Sequence, residues 1–525
     1  MERPSRKSCT YPNRYRLVIG LITALGFVVG STDSIEARPR PSQPARPALD
    51  QAAEQSTTVP SFTEIATNPA SGLAYARGAS PINAVIDDLR QRSLIAPLVD
   101  GVDFELPELP LKTHGQPGVA ILDYDDDGDL DLYVTNGAGV GNSLFSNLLS
   151  ETGEVTFVDV AAQAGVAATA QDSMGVCYGD IDNDDDHDLL VLGRSEPNRF
   201  FVNQGNGTFT EAADSGLEGG DLGHSSCSMG DVNGDGLLDV FVANVWDLDN
   251  LRACFTVPFA ESHHNQLFIN QGDGTFTDTS ATSGIEDLAG LPPEAAGSAT
   301  LTWAVGLLDI DLDGDIDIIL GDDQCALGEE RFGGVDRGFL HVLLNDGTGH
   351  FVDEAFLLHD QASSSWMGLA FGDLNCDGNL DVFGSNFGDY DDAIAAPFPY
   401  ELGDQTTRWL LGNGDGSWTD PTIGQIASVF GWGNGIFDYD NDGDQDVVYH
   451  GGLDLNFFHA EDNPGVLLEN QGCSAEFVTR VDAFPTDHQR RTVQGVALGD
   501  LDRNGFVDVV SVSNVDMPQA LPLLP

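Results

Sequence analysis

DIDLDGDID, running from Asp309 to Asp317, decides the fold, because a nine-residue pattern of this kind occurs seven times in the chain. The pattern is Asp-x-Asp-x-Asp-Gly-x-x-Asp, and its positions are numbered 1 to 9 here. The seven copies, called Asp loops 1 to 7, begin at Asp123, Asp180, Asp231, Asp309, Asp373, Asp438 and Asp500. Positions 1, 3, 5 and 9 together hold 25 Asp and 3 Asn over the seven loops, so every one of these side chains offers an oxygen.

Carboxylates packed this densely repel one another unless a cation neutralises them. Calcium accepts six to eight oxygen ligands, whereas magnesium demands a tight octahedron and keeps its waters. Zinc and copper favour nitrogen or sulfur. The loops therefore predict about seven calcium ions, one in each. Position 7 varies in residue type, as expected if it contributes only its backbone carbonyl.

The predicted metal ligands occupy positions 1, 3, 5, 7 and 9 of each loop. They are Asp123, Asp125, Asp127, Asp129 and Asp131; Asp180, Asp182, Asp184, Asp186 and Asp188; Asp231, Asn233, Asp235, Leu237 and Asp239; Asp309, Asp311, Asp313, Asp315 and Asp317; Asp373, Asn375, Asp377, Asn379 and Asp381; Asp438, Asp440, Asp442, Asp444 and Asp446; and Asp500, Asp502, Asn504, Phe506 and Asp508.

Position 6 is Gly in six loops, which favours a sharp turn with positive φ, and Asp185 takes this place in loop 2. An EF-hand would need a bidentate Glu at position 12 and helices on both sides. Position 12 here holds residues such as Val134 and Leu320, and short β-rich runs follow the loops. We therefore expect each loop to close a β-hairpin. A merely solvated acidic turn explains one copy more easily than seven.

The loops recur at spacings of 57, 51, 78, 64, 65 and 62 residues, and repeats of this size indicate a propeller or a solenoid. An apolar segment precedes each loop, and a second hairpin follows, as in NRFFVNQGNGTF from Asn198 and NQLFINQGDGTF from Asn265. Four strands per repeat predict an all-β, seven-bladed β-propeller of four-stranded antiparallel blades, with one calcium loop per blade.

Domain boundaries follow from these repeats. We expect the propeller to span 61–525, with 61–70 as a closing strand, because SFTEIATNPASGL from Ser61 repeats the outer-strand pattern FTEAADSGL from Phe209. The last blade is either thin or incomplete, since few residues follow Asp loop 7.

The N-terminus has the pattern of an export signal. Basic residues precede a 14-residue apolar run, Leu17–Gly30, which is short for a membrane span and typical of a signal peptide. We assign 1–37 to a signal peptide, with an uncleaved anchor as the alternative, and 38–60 to a Pro-rich linker. These segments predict a secreted, periplasmic or cell-surface protein, where calcium is abundant enough to fill weak loops.

The formal net charge is −62, from 22 basic and 84 acidic residues. A field of this sign excludes nucleic acid and anionic membranes as partners. We expect a monomer whose partner is an extracellular protein or a glycan.

Six cysteines follow the signal segment, an even number that favours disulfides in an exported chain. Cys254 and Cys325 fall in corresponding connections of neighbouring blades and form the favoured pair. Cys376 and Cys473 form a second candidate pair on the face of the Asp loops. Cys177 and Cys227 lie on inner strands, and we interpret them as buried thiols.

The long connections between second and third strands lie on the face opposite the Asp loops and make the candidate binding surface. They are 246–264, 322–337, 387–405 and 453–464, and they carry Trp246, Arg252, Phe255, Phe259, His263, His264, Tyr390, Phe398, Tyr400, Phe457, Phe458 and His459. Three further tryptophans, Trp303, Trp366 and Trp432, either join this surface or pack between blades.

The leading functional hypothesis is a calcium-stabilised binding or adhesion module without catalytic residues. The alternatives are an extracellular polysaccharide lyase or hydrolase, and a chain whose missing C-terminal module carries the activity. GHSSC from Gly223 lacks the final Gly of a nucleophile elbow and lies in a strand position, and no His-Glu-x-x-His motif occurs.

The Asp loops and the NxGDGTF hairpins, over about residues 61–517, closely resemble the FG-GAP/VCBS repeat family. Integrin α-subunit propellers carry this repeat, and the hairpins are even more similar to those of cartilage-acidic-protein-like chains. The resemblance implies a seven-bladed calcium propeller and the ligand roles given above, without implying integrin partners.

Overall fold

The computed structural model describes residues 62–63, 65–66, 68–78, 116–245, 264–288, 301–323, 338–354, 365–386, 407–419, 431–451, 465–480, 483–484 and 491–516. The expected signal peptide and linker lie outside the described residues. So do Cys254, Cys325 and nearly all of the four long connections. None of the described helices has the length and apolarity of a membrane span.

Six four-stranded antiparallel sheets occur along the described chain, each with its strands hydrogen-bonded in chain order. Sheet 1 holds β1 (Val119–Leu122), β2 (Asp131–Val134), β3 (Ser143–Asn147) and β4 (Phe157–Asp159). Sheet 2 holds β5 (Ser173–Gly179), β6 (Asp188–Gly193), β7 (Arg199–Asn203) and β8 (Phe209–Glu211). Sheet 3 holds β9 (Gly223–Gly230), β10 (Asp239–Val245), β11 (Gln266–Asn270) and β12 (Phe276–Asp278).

The next three sheets repeat this arrangement. Sheet 4 holds β13 (Thr302–Leu308), β14 (Asp317–Asp322), β15 (Leu340–Asn345) and β16 (Phe351–Asp353). Sheet 5 holds β17 (Gly368–Gly372), β18 (Asp381–Ser385), β19 (Arg408–Gly412) and β20 (Trp418–Thr419). Sheet 6 holds β21 (Gly433–Phe437), β22 (Asp446–His450), β23 (Val466–Asn470) and β24 (Phe477–Arg480).

Sheet 7 has two strands among the described residues, β25 (Arg491–Gly499) and β26 (Asp508–Asp516). Helical structure within the described ranges is confined to single turns: a 3-10 helix, Pro69–Ser71, and two α-helices, α1 (Leu149–Thr152) and α2 (Ala161–Ala164). Four-stranded repeats are therefore confirmed for six sheets, and the seventh is partial.

The first strands of consecutive sheets contact one another around a closed ring, from β1 through β5, β9, β13, β17 and β21 to β25, which contacts β1. Small residues permit this close approach: a side chain on Gly118 would meet the backbone of Gly175. A separate hydrophobic cluster fills each space between neighbouring sheets. The protein is therefore an all-β propeller whose core is divided among the interfaces of its blades.

Sheets 7 and 1 close the ring through both apolar and polar contacts. Leu501 and Val512 of sheet 7 pack in one cluster with Val119 and Phe145 of sheet 1. Asn147 Nδ2 also donates a hydrogen bond of 3.0 Å to the carbonyl oxygen of Leu501.

The segment 62–75 lies beside sheet 7. The amide of Phe62 donates to the carbonyl of Ala483 at 2.9 Å, and the Phe62 ring stacks on Phe484 at a centroid distance of 4.8 Å. At the other end, Gly72 faces the carbonyl oxygen of Phe157, and Leu73 packs on the cluster between sheets 7 and 1. The segment thus spans from the sheet 6 side of sheet 7 to its sheet 1 side.

Among the cysteines that the structure describes, two disulfides join neighbouring blades. Cys376 pairs with Cys473, as the sequence allowed. Cys177 pairs with Cys227, so the interpretation of these two as free buried thiols was wrong. The inner strands β5 and β9 run side by side, and they bring the two sulfur atoms together inside the cluster between sheets 2 and 3. Such bonds persist in an oxidising, extracytoplasmic environment.

The three inner tryptophans are buried, at 7% exposure for Trp303, 1% for Trp366 and 5% for Trp432. Trp366 packs between sheets 4 and 5 and donates its indole N–H to the carbonyl of Gly338 at 2.9 Å. Trp303 and Trp432 meet edge to face at 5.2 Å. Of the two readings of these side chains, packing is correct, and they do not serve as exposed anchors.

Candidate metal sites

Every Asp loop connects the first and second strands of a sheet, and position 9 is the first residue of the second strand. In sheet 1, for example, Leu122 and Asp131 face each other as the last pair before loop 1. Both flanks of each loop are strands, so the hairpin prediction is confirmed and an EF-hand is excluded.

The carboxylates at positions 1 and 5 organise the turn by accepting backbone amides. In loop 4, Asp309 accepts from the amides of Asp313 at 3.0 Å and Gly314 at 3.1 Å. Asp313 in turn accepts from the amide of Asp315 at 3.0 Å. The bond from the position 7 amide to the position 5 side chain occurs in all seven loops. This shared hydrogen bonding gives the seven loops one conformation.

Two positions in each loop have positive φ. The predicted one is position 6, where φ is +89° at Gly128 and +73° at Asp185. The other is position 4, which the sequence analysis missed; it is occupied by Asp126, Asn183, Gly234, Leu312, Cys376, Asn441 and Arg503, with φ between +54° and +72°. Asp126, Asn183, Gly234 and Asn441 are residue types that favour positive φ, but Leu312, Cys376 and Arg503 give no such signal, so the position does not stand out as a repeat feature.

Position 9 is buried and joins its loop to the third strand of the same sheet. Asp239 is 0% exposed, and its two carboxylate oxygens accept from the amides of Val232 at 3.0 Å and Asn270 at 2.8 Å. The corresponding pair of bonds forms at Asp131, Asp188, Asp317, Asp381 and Asp446. Each oxygen keeps a second lone pair for another partner.

Burial raises the pKa of the position 9 carboxyls, although the two amides that donate to each of them lower it. The pKa rises to about 8 at Asp131 and Asp446, to about 7 at Asp188, Asp239 and Asp317, and to about 6 at Asp381. At position 3, burial and then the neighbouring position 5 carboxylate raise the pKa of Asp125, Asp182, Asp311 and Asp440. The loops thus hold negative charge that the protein itself leaves poorly compensated.

Carboxylate oxygens converge within 4.8 Å of one another in several loops. The groups of three are Asp123, Asp125 and Asp127 in loop 1; Asp180, Asp182 and Asp184 in loop 2; Asp309, Asp311 and Asp317 in loop 4; and Asp438, Asp440 and Asp446 in loop 6. Oδ1 of Asp123 and Oδ1 of Asp311 are buried without a hydrogen-bond partner. An all-oxygen donor set with such orphaned oxygens fits a hard cation. Several Asp-rich clusters can therefore hold metal ions.

An asparagine at the end of the third strand links consecutive loops. Asn270 donates from Nδ2 to the carbonyls of Leu238, in loop 3, and Ile181, in loop 2. The same bridge is made by Asn147, Asn203, Asn345 and Asn470. Sheet 5 has Gly412 in this place, where a side chain would collide with the carbonyl oxygen of Leu380.

Position 4 also connects neighbouring blades. Asn183 of loop 2 donates to the carbonyl of Gly236 in loop 3 at 3.1 Å, and Asn441 of loop 6 donates to Gly505 in loop 7 at 2.9 Å. In loop 5 the corresponding residue is Cys376, whose disulfide ties the loop to the turn before β24 in sheet 6. These contacts link neighbouring loops along one face of the ring, except loops 4 and 5, between which the described residues show no such bridge.

The GHSSC segment that resembles a nucleophile elbow forms β9. His224 is fully buried there, and its Nδ1 lies 2.7 Å from Oδ1 of Asn244. Burial lowers the pKa of His224, so the side chain is a structural one within the sheet. The buried, hydrogen-bonded position of His224 does not fit a nucleophile elbow.

Comparisons with known proteins agree with the repeat. The model of the FG-GAP-like repeat matches residues 180–242 and 309–384. Cartilage acidic protein 1 of Mus musculus is 31% identical over 134 residues, which are 24% of this chain and 21% of that protein. The chain therefore matches about a fifth of the length of that relative.

Solved structures with a similar course of the chain include two lectins. One is an Agrocybe aegerita lectin described for recognition of non-reducing terminal N-acetylglucosamine, at 17% identity and a TM-score of 0.44, with 76% of this chain and 86% of that chain covered. The other is the BP39L lectin of Burkholderia pseudomallei, at 12% identity and a TM-score of 0.41, with 77% and 96% covered.

The match to the repeat model, the seven Asp loops and the ring of sheets all indicate a propeller built from one repeated unit. This chain is an all-β propeller that contains FG-GAP-like repeats and is distantly similar to cartilage acidic protein 1.

Proposed function

We propose that this chain is an exported, calcium-stabilised propeller that acts as a binding or adhesion module for a protein or a glycan. The observation that carries the proposal is the repeated carboxylate cage, with orphaned buried oxygens at Asp123 and Asp311. The proposed ligands are the residues at positions 1, 3, 5, 7 and 9 of the seven Asp loops. Calcium held there by these oxygens would supply the positive charge that the carboxylates lack, and its role is structural.

The protein's own residues explain why the metal would act on the scaffold. Each cage forms part of the connection between two strands, and its position 9 side chain also accepts the amide of the third strand. The asparagine bridges then connect the cages of loops 1, 2, 3, 4 and 6 to the cage before each of them in the ring. Neutralising one loop therefore supports the neighbouring blade as well as its own hairpin.

Export is supported by the two disulfides and by the signal-type N-terminus of 1–37. A millimolar calcium concentration outside cells suits loops of this kind. The acidic surface argues against polyanionic partners, which leaves proteins and neutral or basic glycans. Nothing in the described residues favours the polysaccharide-active enzyme, which stays a prediction from the sequence.

The connections opposite the Asp loops form the proposed binding face, and aromatic side chains are their anchors. We expect a glycan array and a cell-binding assay on the full chain to show calcium-dependent binding. Replacing Trp246, Phe255 and Tyr400 together by Ala should lower the binding affinity at least about tenfold, because aromatic anchor residues contribute much of the binding energy of an interface.

The control for this experiment is Val352→Ala. Val352 is an apolar residue with 52% exposure that lies in β16, the fourth strand of sheet 4, outside both the proposed binding face and the Asp loops. Its substitution should leave binding unchanged. Equal losses in both variants would contradict the assignment of the face, and polysaccharide cleavage without stable binding would favour the enzyme.

The segment 62–73 is the proposed outer element of the seventh blade. Phe62 bonds to sheet 6 through Ala483 in the way that Phe276, the first residue of β12, bonds to Ser215 of the preceding blade. Gly72 faces Phe157 as Gly216 faces Phe276. These two contacts support the proposal that the segment takes the place of the fourth strand in blade 7.

Phe62→Ala tests this closure. Loss of the half-buried ring from its stack on Phe484 should destabilise the protein by about 2–3 kcal/mol in urea unfolding. Ile65→Ala is the control, because Ile65 belongs to the same segment and is 41% exposed, and it should change stability by less than about 0.5 kcal/mol. A neutral Phe62→Ala variant would show that the segment is not needed to close the ring.

A further inference from the structure

A second group of acidic side chains adjoins Asp loop 1. Asp127, Asp129 and Glu151 place one carboxylate oxygen each within 4.8 Å of one another. This group shares only Asp127 with the cage of Asp123, Asp125 and Asp127 in the same loop. Glu151 comes from outside the nine-residue pattern, so no repeat predicts it.

Sheet 1 differs from the other sheets in the connection between its third and fourth strands. Helix α1 occupies this connection, where sheets 2 and 3 have Gly-x-Gly turns. The amide of Ser150 donates to Asp129 Oδ2 at 2.8 Å, and its hydroxyl donates to the carbonyl oxygen of Asp127 at 3.2 Å. These bonds fix α1 against the loop and bring Glu151, the next residue, to the edge of the group.

An orphaned oxygen lies within this group. Asp129 is only 1% exposed, yet its Oδ1 is buried without any hydrogen-bond partner. An ionised oxygen that is removed from water and left unpaired destabilises the folded protein more than an unpaired neutral polar group does. A cation next to Oδ1 would remove that cost. The side chain of Asp129 is not needed in the loop 1 cage, to which position 7 contributes its carbonyl.

Asp444 is the corresponding residue of loop 6 and provides a comparison within the molecule. It is 3% exposed and also has an orphaned Oδ1, but two amides, those of Gly472 and Cys473, donate to its Oδ2. The turn at 471–474 carries no acidic residue. A third carboxylate beside the buried one therefore distinguishes loop 1 from loop 6.

The three carboxylates have no ion-pair partner among the described residues. No basic side chain there forms an ion pair with any of them. The guanidinium of Arg503, from loop 7, donates instead to the hydroxyl of Ser150 at 3.3 Å. Three negative charges thus converge without a direct ion pair in the described part of the chain.

We propose that Asp127, Asp129 and Glu151 bind an additional calcium ion, beside the ion of Asp loop 1, with Asp127 bridging the two. The proposal rests on the proposed function to the extent that loop 1 holds calcium. Three carboxylates supply three ligand oxygens, and water completes the coordination that calcium needs. Such a partly hydrated site should be weak, with a Kd on the order of 10⁻⁴–10⁻³ M, a range that matches extracellular calcium.

Equilibrium dialysis of the full chain against radioactive calcium tests the site directly. Glu151→Gln and Asp129→Asn each remove one charge from the group, and both keep an oxygen that accepts hydrogen bonds. We expect each variant to bind about one ion fewer per chain near millimolar calcium and to keep the tighter ions. Glu154→Gln is the matched control, since it removes an exposed acid three residues further along and should bind as the unaltered chain does.

Each outcome decides the matter. If Glu151→Gln binds as many ions as the unaltered chain, while both bind calcium, the additional site does not exist and the loop sites stand. If the Glu154→Gln control loses the same ion, the effect is one of general charge and the site is again refuted. If none of the proteins binds calcium, the proposed function fails as well. Equal melting temperatures of the metal-free proteins would confirm that the variants are folded.

Discussion

Removal of calcium is expected to lower the melting temperature of this protein by an amount that grows with pH, on the order of 20 °C at about pH 8 and much less near pH 5. The position 9 carboxyls cause this dependence, because burial raises the pKa of Asp131 and Asp446 to about 8 and that of Asp239 to about 7. The ordinary pKa of Asp is about 3.9.

The sign follows from proton linkage. A carboxyl whose pKa is raised by folding binds more protons in the folded state than in the unfolded state. Its contribution to the stability of the metal-free protein is therefore fully present below about pH 4 and is lost as the pH rises through the folded pKa values of about 6–8. Calcium needs the ionised carboxylates, so its stabilising effect increases over the same window. The metal-free protein should therefore be more stable at about pH 5 than at pH 8, and saturating calcium should remove most of that difference.

Calorimetric melts of dialysed protein, with calcium or with an equal concentration of magnesium, measure this effect at each pH. Magnesium is the control because it demands a geometry that these loops do not favour. A melting temperature that does not respond to calcium at pH 8 would contradict calcium binding by the loops. A calcium effect of equal size at every pH would instead contradict the role of the buried position 9 side chains.

Asn270→Ala is expected to destabilise the protein by about 2–4 kcal/mol, although the residue is not a metal ligand. Its Nδ2 donates to the carbonyls of Leu238 and Ile181, and its Oδ1 accepts the amide of Gly272 at 2.9 Å. Alanine removes the donor of one buried carbonyl, that of Ile181, and of one partly buried carbonyl, that of Leu238, and an unpaired buried carbonyl costs about 1–3 kcal/mol. Equilibrium unfolding in urea measures the change.

Asn206→Ala is the matched control for this substitution. Asn206 lies in the exposed turn of sheet 2 and bonds only to Thr208 within that turn. Its removal should cost less than about 1 kcal/mol. If the two variants were equally stable, the bridges between loops would contribute nothing measurable to the ring.

The loops and hairpins of the repeat could be predicted from the sequence because the residues that form them are close together along the chain. Nine residues contain the carboxylates, the glycine of position 6 and the start of the second strand, so loop and hairpin follow from spacing alone. Seven repeats then predict seven blades, of which six are four-stranded among the described residues. The ligand assignment and the closing role of the first described residues remain predictions.

Contacts between blades could not be read in the same way. Asn203 and Asn270 recur at the same place in the hairpin motif and are easily found in the sequence. The carbonyl groups to which they donate, those of Tyr124 and Ile181, lie in the preceding repeats. Cys177 and Cys227 likewise meet only because two inner strands run side by side around the ring. A linear pattern shows that a residue recurs, and the closed ring determines what it touches.

Both disulfides join one blade to a neighbouring blade, and this has a consequence for the denatured chain. The bonds close loops with sequence separations of 50 and 97 residues, and loops of this size remove roughly 4 and 5 kcal/mol of conformational freedom from the unfolded ensemble. The two bonds therefore keep blade 2 beside blade 3, and blade 5 beside blade 6, after every strand has melted. A chain that refolds with these bonds intact already has two of its neighbouring pairs of blades specified.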